Sequence, residues 1–374
     1  MNLFSSLKKN IDWVLLFLAL TMTFLGMMTY YSVEGGNSLF WKQLISLGIS
    51  LGVFFAVSSL DVRYLKNNNL IMGLYIIVIL LFSILAVLGS VFTGAQSWFS
   101  LGFFAFQPTD LAKLVLVLLL AKYFFKRHVE INKFKHLLIS GAYMGIIFLF
   151  LLKQPDLGSA LIVFFIWFGM ILLFGVSRKY VLSFIFGGVI LVASAFPFLA
   201  EYQKKRIFTF LDPSSDLLGS GYNINQAHIS LGSGGWFGKG VGEGTQTHLD
   251  FLPEYETDFI FSAFGEEWGF VGSSLLLLIF FIFALRILFI AYKARGNFET
   301  ILALGILVYF TTHFVLHSGI NLGFFPVTGT TLPFMSYGGS HLIVEFISLG
   351  IINSIRKTGL KFSRNDIKDT DILN

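Results

Sequence analysis

Ten apolar runs, each near the roughly 20 residues that a helix needs to cross a hydrocarbon layer, dominate this chain of 374 residues. They cover 11–33, 40–58, 70–90, 108–125, 137–153, 158–175, 180–199, 265–291, 300–322 and 338–355. No soluble core of this length would hold that much apolar surface. Hydrophobic residues make up 55% of the chain and charged ones 13%, about half the roughly 25% of a soluble domain. The expected fold is an all-α polytopic membrane protein of about ten transmembrane helices, with both termini on one side. A soluble enzyme, a disordered chain and a secreted disulfide scaffold are excluded. With no cysteine, so are disulfides, thiolate metal sites and cysteine nucleophiles.

The charges give this pattern an orientation. Lys8 and Lys9 precede an apolar run too long for a signal peptide and without a small-x-small cleavage site, so the run reads as an uncleaved first span. The fifth and sixth spans are joined only by Lys153-Gln154-Pro155-Asp156, a tight helical hairpin. If the N-terminus is cytoplasmic, 19 of the 26 basic residues fall on the cytoplasmic side, as the positive-inside rule requires. Fourteen of the 21 acidic residues lean outward. The one long loop, 200–265 between spans seven and eight, is then extracytoplasmic. It is rich in glycine, from Gly221 to Gly244, which lets backbone approach a ligand closely, and long loops in compact proteins are usually functional. Residues 1–360 read as a single transmembrane domain and 361–374 as a polar cytoplasmic tail.

Ionisable groups inside spans default to functional hypotheses. Asp110 and Lys113, at i and i+3, share one helix face and can pair. Either they form an internal ion pair that fixes helix packing, or Lys113 waits at the outer mouth for an anionic head group. Glu345 near His341 reads as a helix–helix hydrogen bond. His313 and His317, at i and i+4, have metal-ligand spacing, but no carboxylate completes the motif and interhelical hydrogen bonds explain them better. In the long loop, Asp258 is the last charge before Phe259-Ile260-Phe261. A carboxylate in such surroundings loses solvation and its pKa rises, which suits a general base. Thr257-Asp258 before an apolar run is equally a helix-capping signal, and spacing alone leaves both readings open.

Seven blocks in chain order carry a resemblance. They are GAQSWFSLG from Gly94, FQPTDLAKL from Phe106, KQPDLGSALI from Lys153, FLDP…GYNINQA and GSGGWFGKG…GTQ in the long loop, FLPEYETDFIFS, and PVTGTTLPFMSYGGS from Pro326. Together they make the chain similar, from the first helix to about Lys357, to the SEDS family (shape, elongation, division, sporulation) of bacterial cell-wall polymerases. Thr328 and the short N-terminus resemble the RodA-like elongation subgroup more than the FtsW-like division subgroup, which tends to carry lysine at the Thr328 position. Two positions depart from the family pattern. Asp110 stands where glutamate is usual, which shortens the reach to Lys113 and predicts looser pairing. Glu256 stands where histidine is usual, which predicts a still higher pKa at Asp258.

The resemblance implies a peptidoglycan glycosyltransferase that polymerises lipid II into glycan strands. A sugar 4-hydroxyl attacks the anomeric carbon of a lipid-linked muramyl unit, configuration inverts, and undecaprenyl pyrophosphate leaves. Such a single displacement needs one base and a stabilised leaving group. Asp258 matches the base. Lys113, Arg206 and Lys239 are candidates for the pyrophosphate, with a divalent cation (Mg or Mn) as a possible helper and no organic cofactor. Asp110, as the partner of Lys113, joins the substrate-binding candidates; Gln154, Asp156, Ser336 and Tyr337 match family motifs near the same outer surface, and Glu254 and Thr257 shape the turn presenting Asp258. The implied partner is a class B penicillin-binding protein, and the implied location the bacterial cytoplasmic membrane with the active face outward. Two competing readings are a transporter that flips the lipid-linked precursor and a scaffold for a partner synthase. Transporters carry paired charges at midplane, whereas the polar residues here gather at one face.

Overall fold

The computed structural model describes residues 11–34, 38–88, 90–92, 95–100, 105–127, 134–175, 201–212 and 219–370, with isolated positions between 177 and 197. Helices dominate. Those long and apolar enough to cross a membrane, six among the described residues, are α1 (Trp13–Glu34), α2 (Ser38–Ser59), α3 (Asn68–Leu88), α5 (Phe134–Lys153), α10 (Ile260–Tyr292) and α11 (Asn297–Asn321). Helices also occupy three other expected spans: α4 (Pro108–Arg127), the 17-residue α6 (Leu157–Leu173) and α12 (Gly339–Thr370). The span expected over 180–199 lies outside the described residues apart from isolated positions. Length and composition thus support six spans, against ten from the sequence.

Some polar groups of these helices are satisfied within the helix itself, as lipid surroundings favour. In α1 the hydroxyls of Thr21, Thr23 and Thr29 donate to the carbonyls of Phe17, Ala19 and Leu25, one turn back. Helix α4 is apolar all round through its middle, LVLVLLLA, the mark of a helix enclosed by others. It is buried almost continuously from Pro108 to Lys122 and packs against α3, α5, α6, α11 and α12. Helices α10 and α11 pack together, α10 also lies on α1, and α12 lies along α2.

Two regions differ from the sequence reading. The stretch between α3 and α4 forms short antiparallel strands, β1 (Ser90–Phe92), β2 (Ala95–Ser100) and β3 (Ala105–Phe106), with Ser90 opposite Trp98 and Phe99 opposite Phe106. The long loop is largely helical: α7 (Glu201–Leu211), α8 (Ser220–Ser233) and the single turn α9 (Thr245–His248). Its glycines serve backbone packing first. Helix α10 breaks at Gly269, where φ is +66°. At the break Phe270 N and Val271 N donate to the carbonyls of Gly235 and Trp236, while Lys239 N and Gly240 N donate to those of Glu266 and Glu267. A Cβ at Gly238 would lie 2.0 Å from the Glu267 carbonyl oxygen. The glycine-rich run is therefore docked into the broken helix, where only glycine fits. The tail expected from residue 361 continues α12 as helix to Thr370.

Candidate active site

Asp258 sits at the end of the turn leading into α10. Phe259, Ile260 and Phe261 are each at most 2% exposed and anchor that turn in the core. Residue Phe259 holds the capping position of α10 and no side chain caps it, so the capping reading of Thr257-Asp258 does not hold. The Asp258 carboxylate makes no hydrogen bond to a described residue. The backbone around it, by contrast, is held from three directions. Asn321 Nδ2 of α11 donates to the Asp258 carbonyl at 3.0 Å, while Asn321 Oδ1 accepts from Ser262 N and Ser262 Oγ. Ser336 Oγ donates to the Thr257 carbonyl at 2.8 Å. Tyr337 N donates to the Glu256 carbonyl at 2.8 Å. Within the turn, Thr257 Oγ1 donates to Glu254 Oε2 at 3.0 Å.

The segment bearing Ser336 is itself fixed from behind. Ser336 Oγ accepts from Leu332 N at 2.8 Å, and both Glu345 oxygens accept from Phe334 N. Earlier in the same segment, Gly329 comes close enough that a Cβ there would lie 3.4 Å from Asp258 Oδ2. The same segment rests on the start of α6, where a Cβ at Gly158 would meet the Thr328 carbonyl oxygen at 2.2 Å. That contact brings the α5–α6 turn, with Gln154 and Asp156, to the site. Asp156 caps α6, its Oδ1 accepting from Ser159 N at 3.0 Å.

Burial is the first cause that pushes the Asp258 carboxyl up to about 7, and the charges of Glu254, Asp156 and Glu256 add to it while Arg206 opposes. The substitution of Glu256 for the family's usual histidine acts in the direction expected. Burial likewise raises Asp156, opposed first by its Ser159 bond and then by the charge of Lys113. Asp258 thus feels the charges of both Asp156 and Arg206. Gln154 is 5% exposed, and neither its amide nitrogen nor its oxygen has a hydrogen-bond partner among the described residues. A buried, unpaired amide of this kind awaits a polar group.

Lys113 and Lys239 each meet a carboxylate. Lys113 pairs with Asp110 at 3.3 Å, and Asp110 also accepts from Ser340 Oγ at 3.0 Å and from His341 Nδ1 at 3.2 Å. The shorter aspartate therefore keeps the pair, and α12 completes it. Lys239 donates to Glu266 Oε1 and to Thr245 Oγ1, both at 2.7 Å. Glu266 further accepts from Gln246 N, Thr247 N and Thr247 Oγ1, so Lys239 belongs to the staple of the glycine-rich run.

The remaining intramembrane groups have structural partners. His341 Nε2 lies 3.0 Å from Glu345 one turn along α12, an intrahelical contact where an interhelical one was expected. His317 Nδ1 and His313 Nδ1 lie 2.8 and 3.4 Å from the carbonyls of Thr330 and Thr331, which belong to the segment before α12 and not to another helix. Among the described residues, no three His, Asp or Glu side chains converge as a metal site. Asn321 escaped the sequence reading, although an asparagine at the end of an apolar span is the kind of signal that finds such a clamp.

Residues 9–360 match the family model FTSW_RODA_SPOVE, described as "Cell cycle protein". The chain is 35% identical over 356 residues to the peptidoglycan glycosyltransferase MrdB of Escherichia coli (strain K12), covering 93% of this chain and 94% of that one. It is similar to a chain from a peptidoglycan synthase complex solved to show how polymerization and crosslinking are coordinated, with TM-score 0.82, 30% identity and coverage of 93% and 98%. It is also similar to the crystal structure of the Thermus thermophilus rod shape determining protein RodA, with TM-score 0.68, 29% identity and coverage of 92% and 96%.

Proposed function

The chain belongs to the FtsW/RodA/SpoVE family of cell cycle proteins, and from that premise we propose that it is a peptidoglycan glycosyltransferase polymerising lipid II. Asp258 is the general base. The observation that carries this reading is the contrast at that residue: backbone clamped by Asn321, Ser336 and Tyr337, carboxylate without a hydrogen bond to a described residue and raised to about 7. A base is most effective when its pKa lies near ambient pH, and a rigid backbone holds it where the acceptor arrives.

In this mechanism the ionised Asp258 takes the proton of the acceptor's 4-hydroxyl as its oxygen bonds to the anomeric carbon of the donor. The bond from that carbon to the pyrophosphate oxygen breaks, and configuration inverts. Arg206, whose charge reaches Asp258, is the cation proposed to meet the leaving diphosphate. Gln154 offers its unpaired amide to the same substrate. A divalent cation, if recruited, would be shared between Asp156 and the diphosphate, neutralising charge as magnesium does with one or two carboxylates and phosphate oxygens. A class B penicillin-binding protein is the partner proposed to crosslink the product. The active face is outward and both termini are cytoplasmic, as the basic loops argue. Thr328 favours the elongation role over division.

The test is polymerisation by the purified protein with its partner and lipid II, with and without Mg²⁺. Asp258→Asn should lower the rate by about 10²-fold or more while partner binding persists. An Asp258→Asn protein that folds, binds its partner and polymerises normally overturns the assignment.

A further inference from the structure

The far end of the bundle carries a second polar feature that the reaction does not use. Helix α4 starts beside the active site at Asp110 and ends in Lys122, Lys126 and Arg127. At 1.5 Å per residue, Lys122 lies about 18 Å along the axis from Asp110, near the opposite membrane face. There α3, α4 and α5 border a half-open recess of about 70 Å³, the size of a head-group fragment rather than of a whole ligand.

Its lining divides by chemistry. Lys122, Lys126 and Asn68 supply the polar rim, Ile71, Met72 and Leu119 an apolar floor, and no carboxylate lines it. Lys122 is 9% exposed and buried inside the bundle, where its ammonium donates to the Lys66 carbonyl. Lys126 reaches across to Asn68 Oδ1 at 3.3 Å. The carboxylate at this corner, Glu299, is taken by Lys66 at 2.7 Å. Among the described residues, two ammonium groups one helical turn apart therefore border this recess and neither meets a carboxylate.

A basic residue that serves only to orient a span can point into water or lipid head groups. Lys122 is instead held within the bundle at the edge of a cavity, which suits a bound anion. The floor selects an anion that brings hydrocarbon with it. We infer that this cavity binds the phosphate of an anionic phospholipid, the phosphate between Lys122 and Lys126 and the start of an acyl chain over Ile71 and Met72. Basic pockets between transmembrane helices on the cytoplasmic side hold such head groups elsewhere. The assignment does not depend on Asp258 or its chemistry.

The experiment compares phosphatidylglycerol, phosphatidylcholine and inorganic phosphate as probes of the purified full-length protein, read by native mass spectrometry of retained lipid. The wild type should prefer phosphatidylglycerol over phosphatidylcholine by about thirtyfold, the ratio two lysines give at about 1 kcal/mol each. The preference should fall to about onefold in Lys122→Gln/Lys126→Gln and persist in Lys293→Gln, a basic residue outside the cavity. Lys122 also supports the Lys66 carbonyl, so the exposed Lys126→Glu serves as the variant expected to fold, and it should lose most of the preference. An unchanged preference in either cavity variant overturns the site. Competition by inorganic phosphate that removes phosphatidylglycerol assigns the cavity to a soluble phosphate and overturns the lipid reading.

Discussion

The raised pKa of Asp258 makes activity depend on pH in a definite direction. The base works ionised, and its carboxyl sits at about 7 against an ordinary 3.8. Roughly half the molecules are then competent at pH 7, about one in ten at pH 6, and most at pH 8. The kcat/KM profile should therefore show an acidic limb bending near pH 7, with a tenfold fall per pH unit below it. Glu256 raises this value and is the smallest of the contributing charges, behind burial, Glu254 and Asp156. Glu256→Gln should move the limb down by a fraction of a pH unit, and Glu256→His somewhat further, because histidine is cationic over the lower part of the range. Neither should bring the limb near 4, since burial, the first cause, stays. The assay is lipid II polymerisation with the partner present from pH 5 to 9, with Glu299→Gln, remote from the site, as a control for general loss of charge. A wild-type limb near pH 4, or a limb that does not move in Glu256→His, refutes the reasoning. The same titration is visible in stability. A carboxyl with a folded pKa above its unfolded one stabilises the fold least once both states are ionised, so folding stability falls as pH rises from about 4 to about 7. Asp258→Asn should remove that loss, leaving the variant with the higher Tm at pH 8 and no advantage at pH 4.

Three further outcomes follow from contacts at and around the site. Gly158→Ala would put a Cβ 2.2 Å from the Thr328 carbonyl oxygen, so the segment facing Asp258 must shift; a stability loss of about 1–3 kcal/mol and a larger fall in kcat than in affinity should appear in thermal unfolding and steady-state kinetics. Ser336→Ala removes the donor to the Thr257 carbonyl and the acceptor for Leu332 N; it should lower kcat about tenfold with little change in KM, since about 1–3 kcal/mol is the cost of a buried group left unpaired. Lys239→Ala leaves Glu266 buried without its cation and should lower Tm, while the Lys239→Met/Glu266→Gln double variant should recover most of it. Failure of the double variant to recover polymerisation once Tm is restored would place Lys239 on the substrate.

Much of this protein was legible in its sequence. Apolar runs of spanning length admit few structures in lipid, because backbone groups there must bond within their own helix. Asp258 stood out because a charge immediately before Phe259-Ile260-Phe261 has little water available, and burial is what raises its pKa in the structure. The nature of the long loop was not legible. Its glycines read as a flexible approach to a ligand, yet the run is docked into the Gly269 break of α10, and no local pattern announces a partner backbone some thirty residues away. The roles of the cations were hidden for the same reason. Lys113, Arg206 and Lys239 look alike in sequence, each a basic residue expected on the outer side.

What separates them is distance in space. Lys239 meets Glu266 at 2.7 Å, Lys113 meets Asp110 at 3.3 Å beside His341 of α12, and the charge of Arg206 reaches Asp258. Hydropathy, summed along the chain, determined that this is a membrane protein, because that quantity is local to each span. Only the packing of helices decided which charges meet each other. Coulomb attraction and hydrogen bonding act across a few ångströms, between residues such as Asp110 and His341 that the chain places 231 positions apart.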